Sequence, residues 1–459
     1  MLAIDTANCP TPTRPDDAEL ADLTQRLEST RGTGWERWRL LAEGAMRDEH
    51  LAAARELART HPPKSLDTVV VLGIGGSALG AAALDAAVRG AGHSLLPAPL
   101  RCGPRLLVLD NADPVLVGRT LAMISYEDPG LERTLFLVVS KSGETAETAA
   151  QFLIVRDMLA RTLGARHADR LVAVTDPAGG TMRRICDAAG YHTLPVPEGV
   201  GGRFSVLSCV GLAPAAVCGL DIEALLDGAR EMESACRSPE AASNPAAALA
   251  RVLVGLGVGG AHAGGAAPRP VHVMMPYANQ LYPLADWWRQ LWAESLGKTH
   301  PASGRGVGFT PAKALGATDQ HSQVQLYREG PDDKVIILLA LERFAERCPI
   351  PAGLNDDALR YLEGSSLADL LDAERRATAY ALTQSGRPNL TITLPAADER
   401  HAGQFFMLWQ IATAYAGLML GVDAYDQPAV ELGKRATFAL MGRPGHEQLR
   451  ARLLGQASA

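Results

Sequence analysis

Three kinds of side chain in this sequence could do chemistry together: a lone carboxylate, an arginine set among glycines, and a run of hydroxyls at a strand end. The carboxylate is Glu294, in QLWAESLGKT (290–299). That stretch ends in Gly-Lys-Thr, the last letters of a P-loop. The motif needs a glycine where Trp292 stands, and a bulky indole there blocks the backbone from wrapping phosphates. The stretch therefore reads as a helix terminus or as the seat of a catalytic carboxylate, and these residues alone leave both open. The arginine is Arg203, in EGVGGRFSVLS (198–208). Such a guanidinium could stabilise an oxyanion in a cleft; a surface-loop arginine is the plain alternative.

The hydroxyls lie in VVSKSGETAETAAQF (138–152), where Ser140, Ser142, Thr145 and Thr148 surround Gly143 between a buried strand and a helix start. Hydroxyls with free backbone N–H groups suit a phosphate monoester, which needs no magnesium as a triphosphate does. Simple N-capping is the alternative. Glu144 and Glu147 are awkward near a dianion and are expected to point away, Glu147 onto the helix dipole. GIGGSALG (73–80) follows the strand TVVVL and opens an Ala-rich helix, either as an anion-facing turn or as a tight connection. GLGVGG (255–260) formally matches a dinucleotide fingerprint but trails a helical run instead of a strand, so a Rossmann cofactor site is not expected. His321 is one of eleven histidines and alone proves nothing. Lys434 would ordinarily be a solvated helix lysine, and the Asp-Gln-Pro turn before it, with Gln427, marks a helix start.

These residues need a frame. TVVVL, PRLLVLDNADP (104–114), RTLFLVVSK and RLVAVTDPAGG (170–180) are continuous apolar runs followed by helical segments; PVHVMMP (270–276), DKVIILLALE (333–342) and NLTITLP (389–395) repeat the plan. Such runs indicate parallel sheets buried on both faces. The pattern predicts α/β architecture with two doubly wound units in tandem: a helical segment over 1–60, units over 61–232 and 246–425, a polar linker near 233–245, and a helical arm over 426–459.

The composition, 47% hydrophobic and 21% charged, is that of an ordinary globular protein, and a net charge of −7 argues against a nucleic-acid surface. Seven scattered cysteines without a CxxC pair suggest free thiols in a reducing compartment. Neither a signal peptide nor an apolar run of the roughly 20 residues that span a membrane is evident, so a cytoplasmic protein is expected.

In order, GIGGSALG, SKSGETAET, VGGRFSVLS, QLWAESLGK, DQHSQVQLYREGP and YDQPAVELGK resemble the glucose-6-phosphate isomerase family, in its compact bacterial form. The resemblance covers most of residues 60–445. It implies two sugar-isomerase domains and a homodimer with a shared active site. It assigns Glu294 as the base that shuttles a proton between C1 and C2, and Arg203 as the cation that stabilises the enediolate. His321, from the neighbouring subunit, helps open the sugar ring, and Lys434 assists it. Ser140, Ser142, Thr145, Lys141 and Thr148 map onto the phosphate loop, and Gly76, Ser77, Gln290 and Gln427 onto other substrate contacts.

The implied chemistry is coherent: one carboxylate can remove a proton α to a carbonyl and return it to the next carbon, with no cofactor or metal called for. The implied substrate is a small sugar phosphate, glucose 6-phosphate or fructose 6-phosphate. A broader isomerase that also takes mannose 6-phosphate, or a non-catalytic sugar-phosphate sensor, are the alternatives. Three departures from the family pattern stand out: Leu296 for a polar residue, Glu144 for threonine, and Ala429 for glycine.

Overall fold

The protein is described by a computed structural model covering residues 1–354 and 356–455. The last four positions of the expected C-terminal arm, 456–459, lie outside the described residues. The chain divides into two compact units, Met1–Ala424 and Tyr425–Ala459.

The first unit carries two five-stranded sheets. In the first sheet the order is Arg105–Leu109, Thr68–Leu72, Thr134–Val139, Leu171–Thr175, His192–Pro195, and every pairing is parallel. Its three central strands are buried along their whole length, as strands covered by helices on both faces must be. Phe136, Val138 and Leu72 pack there with Leu121, Phe152, Val155 and Met182 from the flanking helices. The strand order reverses between Thr68–Leu72 and Thr134–Val139. That is the switch point where a crevice opens outside the carboxyl ends of a parallel sheet. The Gly-rich turn at 73–78 and the hydroxyl loop at 140–145 leave the sheet on its two sides.

The second sheet runs Ala3–Asp5, Asn389–Ala396, Lys334–Arg343, Val271–Pro276, Thr310–Lys313. It is parallel except at one edge, where Ala3–Asp5 pairs antiparallel with Asn389–Ala396. The N-terminal segment thus adds a short edge strand ahead of its helices, and the otherwise parallel second sheet carries one antiparallel edge. A three-residue edge strand has too little periodicity to stand out, and its register comes from a partner some 390 positions away.

The polar stretch near 233–245 begins inside the helix Ile222–Ala235. Glu233 is buried between Arg31 and Arg39, accepting from Arg31 Nε at 2.9 Å and from Arg39 Nη2 at 2.9 Å. The helix Glu399–Leu420 is buried along most of its length and packs on Ile222–Ala235 and Pro245–Val258. Backbones meet there: a Cβ on Gly228 would lie 1.9 Å from the Arg400 carbonyl oxygen. All seven cysteines are free thiols, and no helix among the described residues is long and apolar enough to cross a membrane.

In the second unit, a 3-10 turn at Pro428–Val430 leads into helices Glu431–Leu440 and Glu447–Leu453.

Candidate active site

Glu294 lies in the last turn of the helix Tyr282–Leu296. Residues two apart on a helix project nearly opposite ways and residues four apart share a face, so this helix has two distinct sides. Trp288 and Trp292 are fully buried and pack against Trp409, with ring centroids 5.3 and 5.7 Å away. Trp292 Nε1 also donates to His272 Nδ1 at 3.1 Å. Burial pushes the His272 imidazole down to about 3, so it is neutral and can accept. The other side presents Gln290 and Glu294, whose side chains meet through a long contact, Gln290 Nε2 to Glu294 Oε1 at 3.3 Å. The Gly-Lys-Thr ending is no phosphate loop: Gly297 caps the helix, and Lys298–Thr299 pair with Gly306–Val307 in a small antiparallel ribbon.

Arg203 meets Glu294 from the turn Gly202–Phe204, just beyond the edge strand of the first sheet. Its guanidinium is buried, and each nitrogen has an acceptor. Nη1 donates to Glu294 Oε2 at 3.0 Å, Nε to Ser295 Oγ at 3.0 Å, and Nη2 to the Ala424 carbonyl at 2.8 Å. The Glu294 side chain remains about 36% exposed while the guanidinium is buried, so the carboxylate reaches solvent from a fixed pair. Ser295 is fully buried.

The Gly-rich turn closes on both. A Cβ on Gly75 would lie 2.7 Å from Gln290 Nε2, and one on Gly76 would lie 2.3 Å from the Gly202 carbonyl oxygen. Glycine is therefore required at 76 for close backbone approach. Ser77 ends the same 3-10 turn, Gly75–Ser77, and is half-buried.

The hydroxyl loop follows Thr134–Val139. Ser140 is buried and its Oγ accepts from Gly143 N at 3.1 Å; Ser142 is exposed and its Oγ accepts from Glu144 N at 3.2 Å. Thr145 occupies the N-cap of the helix Ala146–Leu163, yet its hydroxyl makes no capping bond. Thr148 is buried one turn further on, and Glu147 sits in the first turn, where the dipole favours it. Thr181 Oγ1 donates to Glu144 Oε1 at 3.1 Å, which ties that carboxylate to the neighbouring segment. Lys141 is exposed, its ammonium 5.7 Å from the centroid of the Trp35 ring.

Gly76, Gln290, Glu294 and Arg203 thus converge, and the hydroxyl loop lies across the switch point on the adjacent strand. His321 stands apart, exposed at the end of the 3-10 turn Thr318–His321, with no hydrogen bond to Glu294. In the second unit Gln427 precedes Pro428–Val430, and the exposed Lys434 pairs with Glu431 at 2.7 Å. Sequence reasoning missed Ser295 and the Ala424 carbonyl. Ser295 had a signal, its place beside Glu294, but a fully buried serine at a helix end usually means packing. The carbonyl had none, because every residue carries one.

Comparison with known proteins gives this geometry a family. The phosphoglucose isomerase model matches residues 51–337. A glucose-6-phosphate isomerase of Carboxydothermus hydrogenoformans is 43% identical over 410 residues, covering 89% of this chain and 85% of its own. One from Rubrobacter xylanophilus is 43% identical over 438 residues, covering 93% and 95%. Among solved structures, a hypothetical protein of Thermus thermophilus superposes with a TM-score of 0.83 at 36% identity, covering 96% of this chain and all of that one. A glucose-6-phosphate isomerase of Chlamydia trachomatis shares the fold, with a TM-score of 0.74 at 23% identity, covering 97% of this chain and 90% of its own. The chain belongs to the phosphoglucose isomerase family.

Proposed function

We infer that this chain interconverts glucose 6-phosphate and fructose 6-phosphate by proton transfer through a cis-enediolate. The observation that carries the reading is the joining of Glu294 to Arg203 at the rim of the first sheet, in a chain 43% identical to glucose-6-phosphate isomerases. In this reading Glu294 takes the C2 proton of the open-chain aldose and returns it to C1, while the O2 hydroxyl proton passes to O1, giving the ketose. Arg203 faces the charge that develops on the enediolate oxygens, and it does so without reorganising, because Ser295 and the Ala424 carbonyl already fix its plane. Gln290 and the turn bearing Gly76 and Ser77 set the edge against which the sugar lies.

The phosphate is assigned to Ser140, Lys141, Ser142, Thr145 and Thr148. The N-cap of Ala146–Leu163 carries no side-chain bond, and a helix N-terminus with nearby hydroxyls suits a dianion. His321 is assigned to ring opening in a neighbouring subunit, with Lys434 assisting and Gln427 as a further substrate contact. These assignments rest on the family resemblance. So does the homodimer with a shared site, with 61–232 and 246–425 as its two sugar-isomerase domains. A cytoplasmic setting fits the free thiols. A coupled assay with glucose, fructose and mannose 6-phosphates side by side, with and without chelator, tests the reading. Interconversion of the first two is expected. Binding without turnover would favour a sensor, and comparable turnover of the mannose ester a broader isomerase.

A further inference from the structure

The N-terminal segment Gly34–Ala42 lies outside the residues matched by the family model, yet it touches both halves of the site. It is firmly seated. Trp38 is fully buried, with its ring 5.0 Å from that of Phe204, the residue after Arg203. Arg39 is buried too and donates from Nη1 to the Leu27 carbonyl at 2.8 Å and from Nε to Glu233 Oε1 at 3.1 Å. On the arginine side, Gly199 has φ +71, and a Cβ there would lie 2.3 Å from the Gly34 carbonyl oxygen. Arg37 reaches Glu198 at 3.7 Å in the same loop. On the phosphate side, Trp35 is about half exposed and its ring lies beneath the Lys141 ammonium. An exposed indole on a rigidly held segment, facing the one lysine of the hydroxyl loop, is a platform.

We propose that Gly34–Ala42 is a positioning element of the site and that Trp35 holds Lys141 in place for the substrate phosphate. The segment ties the arginine loop and the phosphate loop to one body, so the spacing between enediolate and phosphate is set in part by residues 35–39. Lys141 has a flexible stem, and an indole face restricts it at little cost because the ammonium stays hydrated. The inference rests on the isomerase reading and on the phosphate role of Lys141.

The test uses the full-length chain. Trp35→Ala is expected to raise KM for fructose 6-phosphate about two- to fivefold, the size of an exposed cation–π contact, with kcat within about twofold. Trp35→Phe, which keeps a ring face, should restore KM. In a Lys141→Ala background, Trp35→Ala should have no further effect, since the pair would be coupled. The other five tryptophans are buried, so acrylamide-quenchable emission reports Trp35. Saturation with sorbitol 6-phosphate should reduce that quenching, and inorganic phosphate should do so more weakly. If wild type isomerises and Trp35→Ala matches it in KM, or if the two substitutions are additive, the inference fails alone. A loss of kcat without a change in KM, or emission unquenchable before ligand is added, overturns it as well. A wild-type chain without isomerase activity refutes the functional reading instead.

Discussion

Arg203 and Glu294 meet at 3.0 Å, and the residue that fixes the arginine, Ser295, is the glutamate's neighbour on the same helix. One helix turn thus supplies both the carboxylate and the acceptor that orients its cation. Because the tryptophan side of that helix is buried against Trp409, neither can move without disturbing the core.

Ser295→Ala should therefore act through Arg203. The substitution leaves a charged, buried donor without its acceptor, a loss of about 1.5–3 kcal/mol. If that loss falls on the transition state, kcat drops roughly 10- to 100-fold while KM changes little. Steady-state kinetics decides it; an equal rise in KM with kcat preserved would assign Ser295 to substrate binding.

The two serines of the hydroxyl loop should separate. Ser140 is buried and holds the turn through Gly143 N, whereas Ser142 is exposed at its tip. Ser142→Ala should raise KM about five- to tenfold with little change in thermal stability, since water replaces its exposed bond to Glu144 N, and Ser140→Ala should lower stability by about 1 kcal/mol as well, the worth of one buried hydrogen bond. Melting curves alongside KM values check both.

Stability should fall with acid through His272. Burial lowers its folded pKa from 6.5 to about 3. Between those values the unfolded chain binds a proton the folded chain does not, so the contribution is complete above pH 6.5 and is lost as pH falls toward 3. The slope is about 1.4 kcal/mol per pH unit for one such group. His50 and His93, both pushed down by burial, act in the same direction. His272→Gln keeps an acceptor for Trp292 and should flatten the acid limb of urea midpoints between pH 7.5 and 5.

Much of the frame around the candidate site could be read from residue order. All seven strands inferred from apolar runs are present: six are interior strands of their sheets, and the edge strand Arg105–Leu109 still carries the apolar run Leu-Leu-Val-Leu. His192–Pro195, Thr310–Lys313 and Ala3–Asp5 escaped because these edge strands are short and carry no continuous apolar run. The convergence of Gly76 on Gly202, and of Trp38 on Phe204, joins residues more than 120 apart and depends on backbone shape, which no local pattern encodes. The departures resolve in local terms. Leu296 is a buried helix terminus, Glu144 is bonded to Thr181, and Ala429 is not among the positive-φ residues, so it meets no backbone penalty.

A shared site makes a distinct prediction. With His321 exposed and without a hydrogen bond to Glu294, inactive His321→Ala and Glu294→Gln chains, unfolded and refolded together, should regain part of the wild-type activity. One intact site per mixed dimer is expected. Verified mixed dimers without activity would place His321 in the same subunit's site or outside it.

Glu294 itself is tested most directly by isotope exchange. In heavy water the wild-type chain should incorporate solvent deuterium at the carbon that receives the proton. Glu294→Gln should abolish both that incorporation and turnover, lowering kcat by roughly 10²–10⁴-fold, the scale of general-base catalysis. Its affinity for sorbitol 6-phosphate should stay within about threefold, since a remaining amide still hydrogen-bonds without taking a proton. Continued isomerisation with deuterium incorporation by Glu294→Gln would contradict the account.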